Sequence, residues 1–362
     1  MPTVPPVATA SPPHGETLAP WRPYAKSKTA SLLVARPMGR HEDTRDVAQR
    51  MANCAERLAL AIEHLGEPNQ QAWIEQGFFC GARLCPICEA RRSRAWRTRV
   101  LRGLAEFHAA RPTHKALFLT LTVRNCPMGE LRQTLDAMNK GWQRFKECSF
   151  FPTGAWLRRT EITLGRPAYG DELPVAPQRQ KNTGKLDQFL DDLTADPIRA
   201  WDAAQKRWEG VTPWAHPHFH CLLMVPSSYF THGYVTQAEW QRQWATAMRL
   251  DYAPVVDVRK AYANSQVDDP LKVISAAGVE AAKYLAKAQD ILAMGENVCE
   301  FHRQIQNVRL RAVSQELSKY IKAGEVSHQE MLDTEDIAAA QSPLLRTVVA
   351  WDQSISDYTP RA

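Results

Sequence analysis

The stretch Trp214-Ala215-His216-Pro217-His218-Phe219-His220-Cys221-Leu222-Leu223-Met224-Val225 places three histidines in five positions and then turns apolar. On a β-strand, residues two apart face the same way, so His218 and His220 project together while Phe219 faces the opposite side. Two imidazoles on one sheet face can share a divalent cation, given a third ligand from a neighbouring strand. Pro217 places the start of the strand after His216. Glu161, in Trp156-Leu157-Arg158-Arg159-Thr160-Glu161-Ile162-Thr163-Leu164, is an acid on an expected core strand. A buried carboxylate needs a metal or a basic partner. Glu161 is therefore the candidate third ligand, and a salt bridge with Arg158, Arg159 or a distant Lys is the alternative.

A second constellation lies in Gly278-Val279-Glu280-Ala281-Ala282-Lys283-Tyr284-Leu285-Ala286-Lys287. On a helix, Glu280, Tyr284 and Lys287 fall along one face, about one turn apart. A phenol, a carboxylate and an ammonium in line suit phosphoryl transfer. Tyr284 attacks phosphorus, Lys287 neutralises charge and lowers the phenol pKa, and Glu280 deprotonates a water or hydroxyl. An exposed helix face of mixed polarity is the plainer reading.

Four of the eight cysteines follow the spacing Cys54-x25-Cys80-x4-Cys85-x2-Cys88. Four thiolates close a tetrahedral structural zinc site, and Cys85-Pro86-Ile87-Cys88 reads as a zinc knuckle. Cys-x2-Cys also suits redox chemistry, but no thioredoxin-like βαβ pattern surrounds it. Directly after it, Arg91, Arg92, Arg94, Arg97, Arg99 and Arg102 form a run without an acid. Solvated faces usually alternate in sign, so a single-sign run points to phosphate contacts. Trp96 within that run either packs inward or stacks on a base.

These groups need elements to hold them. Apolar periodicity predicts helices over about 46–65, 89–108, 129–148, 197–209, 237–249 and 275–289. Strands are predicted over 117–123, 156–164, 218–225 and 253–259. Helices interleaved with strands, without a Gly-rich phosphate loop, predict an α+β fold around a mainly antiparallel sheet flanked by helices, with an N-terminal zinc-binding helical region. The expected divisions are a disordered Pro-rich arm over 1–45, a zinc-binding and basic DNA-binding region over 46–112, and a catalytic domain over 113–322. A polar insertion covers about 166–211, and an acidic tail follows over 323–362.

The chain has 362 residues, 45 Lys plus Arg against 39 Asp plus Glu, and a net charge of +6. Residues 80–148 alone hold 14 Lys/Arg against 5 Asp/Glu, a surplus of +9 that exceeds that of the whole chain. A phosphate-rich partner follows from that concentration. The apolar runs are too short to cross a bilayer, and no secretory signal opens the chain, so a cytoplasmic protein without membrane contact is expected. Sparse cysteines exclude a disulfide scaffold.

Taken together, the motifs resemble the replication initiators (Rep proteins) of small rolling-circle plasmids, in the single-tyrosine subgroup of the HUH endonuclease superfamily. Phe118-Leu119-Thr120-Leu121-Thr122 looks like the first-motif strand and His216–Leu223 like the metal-binding second motif. Glu280-x3-Tyr284-x2-Lys287 looks like the catalytic third motif, and the Cys54–Arg92 segment like the subgroup's cysteine-rich region. The insertion before His216 departs from the pattern. The resemblance implies an HUH-type sheet on which His218, His220 and Glu161 hold Mg2+ or Mn2+. It also implies nicking of the plasmid origin, single-stranded or as a hairpin, through a 5′-phosphotyrosine at Tyr284 that leaves a 3′-OH for a host polymerase. Glu280 would activate water for the terminating cleavage, and Lys287 would contact the phosphate or the phenol. No Walker-type motif occurs, so a separate host helicase is required; a homodimer is compatible with this scheme. Two alternatives remain open: an HUH transposase or relaxase, and a non-enzymatic, zinc-stabilised DNA-binding regulator.

Overall fold

A computed structural model describes residues 19–67, 70–152, 154–165, 197–207, 209–210, 213–260, 288–322 and 343–361, with 274–275, 278–279, 326–327, 329 and 331 besides. In chain order its elements are α1 (Arg22–Met38), α2 (Glu42–Ala52), β1 (Arg57–Glu63), β2 (Gln71–Gly77), α3 (Pro86–Ala110), β3 (His114–Thr122), β4 (Cys126–Pro127), α4 (Leu131–Glu147) and β5 (Ala155–Gly165). There follow α5 (Pro197–Arg207), β6 (Trp214–Pro226), α6 (Gln237–Met248), β7 (Val256–Lys260), α7 (Ala288–Ala293), α8 (Val298–Ile305), β8 (Arg311–Val313), β9 (Leu345–Asp352) and β10 (Asp357–Arg361). Among the described residues, no helix is long and apolar enough to cross a membrane.

The chain is α+β, with antiparallel sheets flanked by helices. The central sheet has the order β7-β3-β6-β5-β8, and β4 pairs with the start of β6. Strand alternation divides its two faces. Leu117, Leu119, Leu121, Phe219, Cys221 and Leu223 point into one core, where Trp142 and Phe145 of α4 meet Trp240 and Trp244 of α6. Rings there meet mostly edge to face, as for Trp142 and Phe219 with centroids 6.2 Å apart. Helix α4 forms because Leu131, Leu135, Met138, Trp142 and Phe145 recur at helical spacing and are all buried. Helix α6 starts at a side-chain N-cap, the Thr236 hydroxyl accepting from the Glu239 amide at 3.2 Å. The other face of the sheet packs Ala116, Leu157, Leu222 and Met224 into the core that also holds Val100 and Leu104 of α3. This face also carries His218 and His220.

Several expectations are corrected. Residues 22–38, expected inside a disordered arm, form α1, whose Ala30, Val34 and Met38 are fully buried. The helix expected to reach residue 65 ends at Ala52, and Ala55 takes a left-handed φ of 54°. Beyond it Leu58, Leu60 and Ile62 become strand β1, because both flanks of that strand find partners. One partner is β9, so the expected peripheral tail instead supplies β9 and β10 to a second antiparallel sheet of order β10-β9-β1-β2. The histidine strand begins at Trp214, ahead of Pro217. Pairing with β3 stops at His218 and pairing with β4 starts at Ala215, so Pro217 has only β5 beside it and no ladder bond is lost.

Candidate metal centre

Register brings the first set of predicted ligands together. Strand β6 lies between β3 and β5, with His218 opposite Glu161 and His220 opposite Thr120. Glu161, His218 and His220 each offer a ligand atom, all within 4.8 Å of one another. Glu161 Oε2 lies 2.9 Å from His220 Nε2 and 3.6 Å from His218 Nε2. Both imidazoles therefore turn Nε2 toward one carboxylate oxygen. Their other nitrogens are held by the protein. His218 Nδ1 is 3.2 Å from the His216 carbonyl, which can only accept, so Nδ1 donates there and Nε2 is the nitrogen left facing Glu161. His220 Nδ1 is 3.3 Å from the Thr120 hydroxyl. This is the arrangement in which histidines ligate metals, one nitrogen aimed at the ion and the other fixed by a second partner. The donor set of two imidazoles and a carboxylate thus fits a divalent cation.

Burial pushes the Glu161 carboxyl up, but hydrogen bonds with His218 and His220 outweigh it and hold the group well below the usual carboxylate range. Of the two arginine alternatives, Arg159 shares the face of Glu161 and interacts with its charge. Arg158 points to the opposite face, with its guanidinium 4.0 Å from the Phe219 ring centre, and Arg159 pairs with Glu89 at 3.0 Å. His216 shares the strand parity but bonds Asn125 Oδ1 at 2.6 Å, and burial pushes its pKa down to about 4.

The four predicted cysteines also converge. Cys54 follows α2, Cys80 follows β2, Cys85 caps α3 and Cys88 lies in its first turn. Their sulfurs lie within 4.8 Å of one another, and all four are free thiols. Cys88 Sγ is 3.5 Å from Cys54 Sγ and 3.6 Å from Cys80 Sγ. A tetrahedron with zinc–sulfur bonds of about 2.3 Å has edges of about 3.8 Å, so the set fits zinc. The amides of Cys80 and Gly81 donate to Cys54 Sγ at 3.4 Å and Cys88 Sγ at 3.3 Å, and Ser31 Oγ is 3.4 Å from Cys85 Sγ. Burial pushes the Cys85 thiol up, yet hydrogen bonds from the other three cysteines and Ser31 bring it well below the usual thiol value. Cys85 Sγ thus collects the donors, while hydrogen bonding with Cys80 and Cys85 holds Cys54 high.

The arginine run divides in two. Arg91 and Arg92 are buried: Arg91 Nε donates to the Met331 carbonyl at 2.7 Å, and Arg92 bonds Glu89. Both are removed from the expected DNA-binding surface, because side chains on a helix packed over a sheet must point inward at some positions. Arg94, Arg97 and Arg99 are half-buried and Arg102 is exposed. Trp96 packs inward, with the Arg311 guanidinium 5.2 Å from its ring centre. Tyr284, Glu280 and Lys287 lie outside the described residues; Gly278, just before them, sits against Leu104 of α3. Sequence reasoning missed the support of the metal face by Thr120 and Asn125. Thr120 inside β3 and Asn125 in the loop after it gave no signal without the register.

A profile described as Replication protein matches residues 71–359 of the chain. A "Protein rep" of Lentilactobacillus hilgardii is 26% identical over 351 residues, covering 93% of this chain and 94% of that protein. Another, from Lactiplantibacillus plantarum, is 27% identical, covering 93% and 95%. A third, from Streptococcus pneumoniae serotype 2, is 25% identical, covering 86% and 83%. No solved structure matches.

Proposed function

Because the chain belongs to the replication protein family of plasmid initiators, we propose that it starts rolling-circle replication by nicking the double-strand origin through Tyr284. The carrying observation is the convergence of His218, His220 and Glu161, with both imidazoles already held by protein partners at Nδ1. A Mg2+ or Mn2+ ion held by these three residues would supply Lewis-acid polarisation of the scissile phosphate. Tyr284 loses its phenolic proton and attacks phosphorus. An oxygen–phosphorus bond forms while the bond from phosphorus to the 3′ oxygen breaks. The 3′ oxygen gains a proton and becomes the primer end, and the 5′ end stays on the tyrosine. Lys287 lowers the phenol pKa and steadies phosphate charge, and Glu280 activates water for the terminating cleavage. Cys54, Cys80, Cys85 and Cys88 hold a structural Zn2+, which fixes the start of α3. Arg94, Arg97, Arg99 and Arg102 grip the origin backbone, while a host helicase and polymerase do the unwinding and extension.

The test is incubation with single-stranded origin oligonucleotides and Mn2+, followed by a denaturing gel. A slow protein–DNA band should form with the native chain and vanish in Tyr284→Phe and His220→Ala, with DNA binding retained in both. A band of undiminished intensity in Tyr284→Phe would assign the nucleophile elsewhere. No band under any metal would leave a DNA-binding regulator.

A further inference from the structure

Glu89 follows Cys88 in the chain, and it is buried at 3% exposure in the first turn of α3. Its Oε2 accepts from Arg92 Nη1 at 2.9 Å, and its Oε1 accepts from Ser93 Oγ at 3.2 Å and Arg159 Nη2 at 3.0 Å. Arg92 Nη2 donates onward to the Gly81 carbonyl at 2.7 Å, and the Gly81 amide donates to Cys88 Sγ. Contacts therefore run without a break from the cysteine turn through Gly81, Arg92 and Glu89 to Arg159. Arg159 is 2% exposed on β5, directly opposite His220. It precedes Glu161 by two residues, so the two side chains share a face with backbones roughly 6.6 Å apart along the strand. Opposite charges sit side by side there, and the α3 carboxylate anchors the cation. The register of β5 decides whether Glu161 meets the imidazoles, and Arg159 is the point at which α3 grips that strand by charge.

We propose that Glu89 and Arg159 are positioning residues that dock the cysteine turn onto the metal face and hold Glu161 at the distance from His218 and His220 that a divalent ion needs. This inference rests on the metal-centre reading above. Neither residue touches DNA or the reacting atoms in this scheme; they act through Glu161.

The experiment is Mn2+ titration of the full chain, with free Mn2+ read by electron paramagnetic resonance, for the native protein, Glu89→Gln, Arg159→Met, the double variant and Arg158→Met. Glu89→Gln and Arg159→Met should each weaken Mn2+ binding by about 10-fold or more. The double variant should be no weaker than the weaker single. Arg158→Met removes an equally buried arginine from the opposite face and should keep native affinity even if its Tm falls, a split that general destabilisation would not give. Should Arg159→Met fail to fold, the neutral pair Glu89→Gln with Arg159→Gln replaces it and should show the same loss. A folded Glu89→Gln that binds Mn2+ as tightly as the native chain overturns the inference alone. Native protein that takes up no Mn2+, or His220→Ala that binds as well as native, overturns the metal-centre reading along with it.

Discussion

His220 shows how much of the site depends on a single hydroxyl. Its Nε2 faces Glu161 and its Nδ1 has the Thr120 oxygen 3.3 Å away. A threonine hydroxyl can donate or accept, so it satisfies the ring whether Nδ1 or Nε2 carries the proton. Thr120→Val keeps the shape and the β-branched strand preference but removes that choice. With an ion on Nε2, the Nδ1 proton would then be left unpaired, at a cost of about 1–3 kcal/mol. The expected outcome is a loss of about 10-fold to 100-fold in Mn2+ affinity by calorimetry, with little change in Tm. Unchanged affinity would mean that the ring is oriented by packing alone, for instance against Phe118, whose ring lies 5.5 Å away. The histidine pair was legible in the sequence because a strand period of two needs only neighbours in the chain. Thr120 was not, because its role depends on strand register, which local pattern leaves open.

At the scale of elements, α3 does two jobs with one surface. Cys85 is its N-cap, its first turn carries Cys88 and Glu89, and further along Val100 and Leu104 pack toward the sheet that bears the histidines. If zinc joins the four sulfurs, the start of α3 is tied to α2 and β2 at once. Cys88→Ser should then lower unfolding stability by at least about 4 kcal/mol in urea. The same variant should release zinc to a colorimetric chelator without denaturant. A serine variant within about 1 kcal/mol of native would mark the cluster as ordinary buried thiols. The cysteine spacing made this site readable in advance. The second sheet was hidden, since β1 pairs with β9 across nearly the whole chain and its Leu58, Ala61 and Ile62 also fit a helical stripe. Tertiary pairing decided between two locally acceptable readings. Burial of Arg91 and Arg92 escaped for a related reason: Arg91 meets Met331 from far along the chain, Arg92 meets Gly81 beside its local partner Glu89, and a run of like charges looks the same whether it faces water or core.

At the scale of the molecule, one core reaches from Ala25 to Tyr358, so the N-terminal helix and the last strands stabilise the same body as the metal face. The charge is less evenly shared, with the +9 of residues 80–148 concentrated around α3 and the strand that follows. Origin binding should therefore weaken steeply with salt. Replacing Arg94, Arg97, Arg99 and Arg102 by alanine should flatten the plot of log Kd against log salt by about 0.9 for each phosphate that is no longer neutralised. Replacing the internal Arg92 should instead lower stability. An unchanged salt slope in the quadruple variant would move the DNA-binding surface away from α3.

The claim on which the whole account turns is that one phenol receives the DNA. Mass spectrometry of the trypsin- and nuclease-digested adduct reads this directly, because trypsin frees the peptide Tyr284–Lys287. That peptide should carry a 5′-linked nucleotide on Tyr284, formed only with divalent metal and absent in His220→Ala. A nucleotide on any other residue, or an adduct that forms equally well without metal, would contradict it.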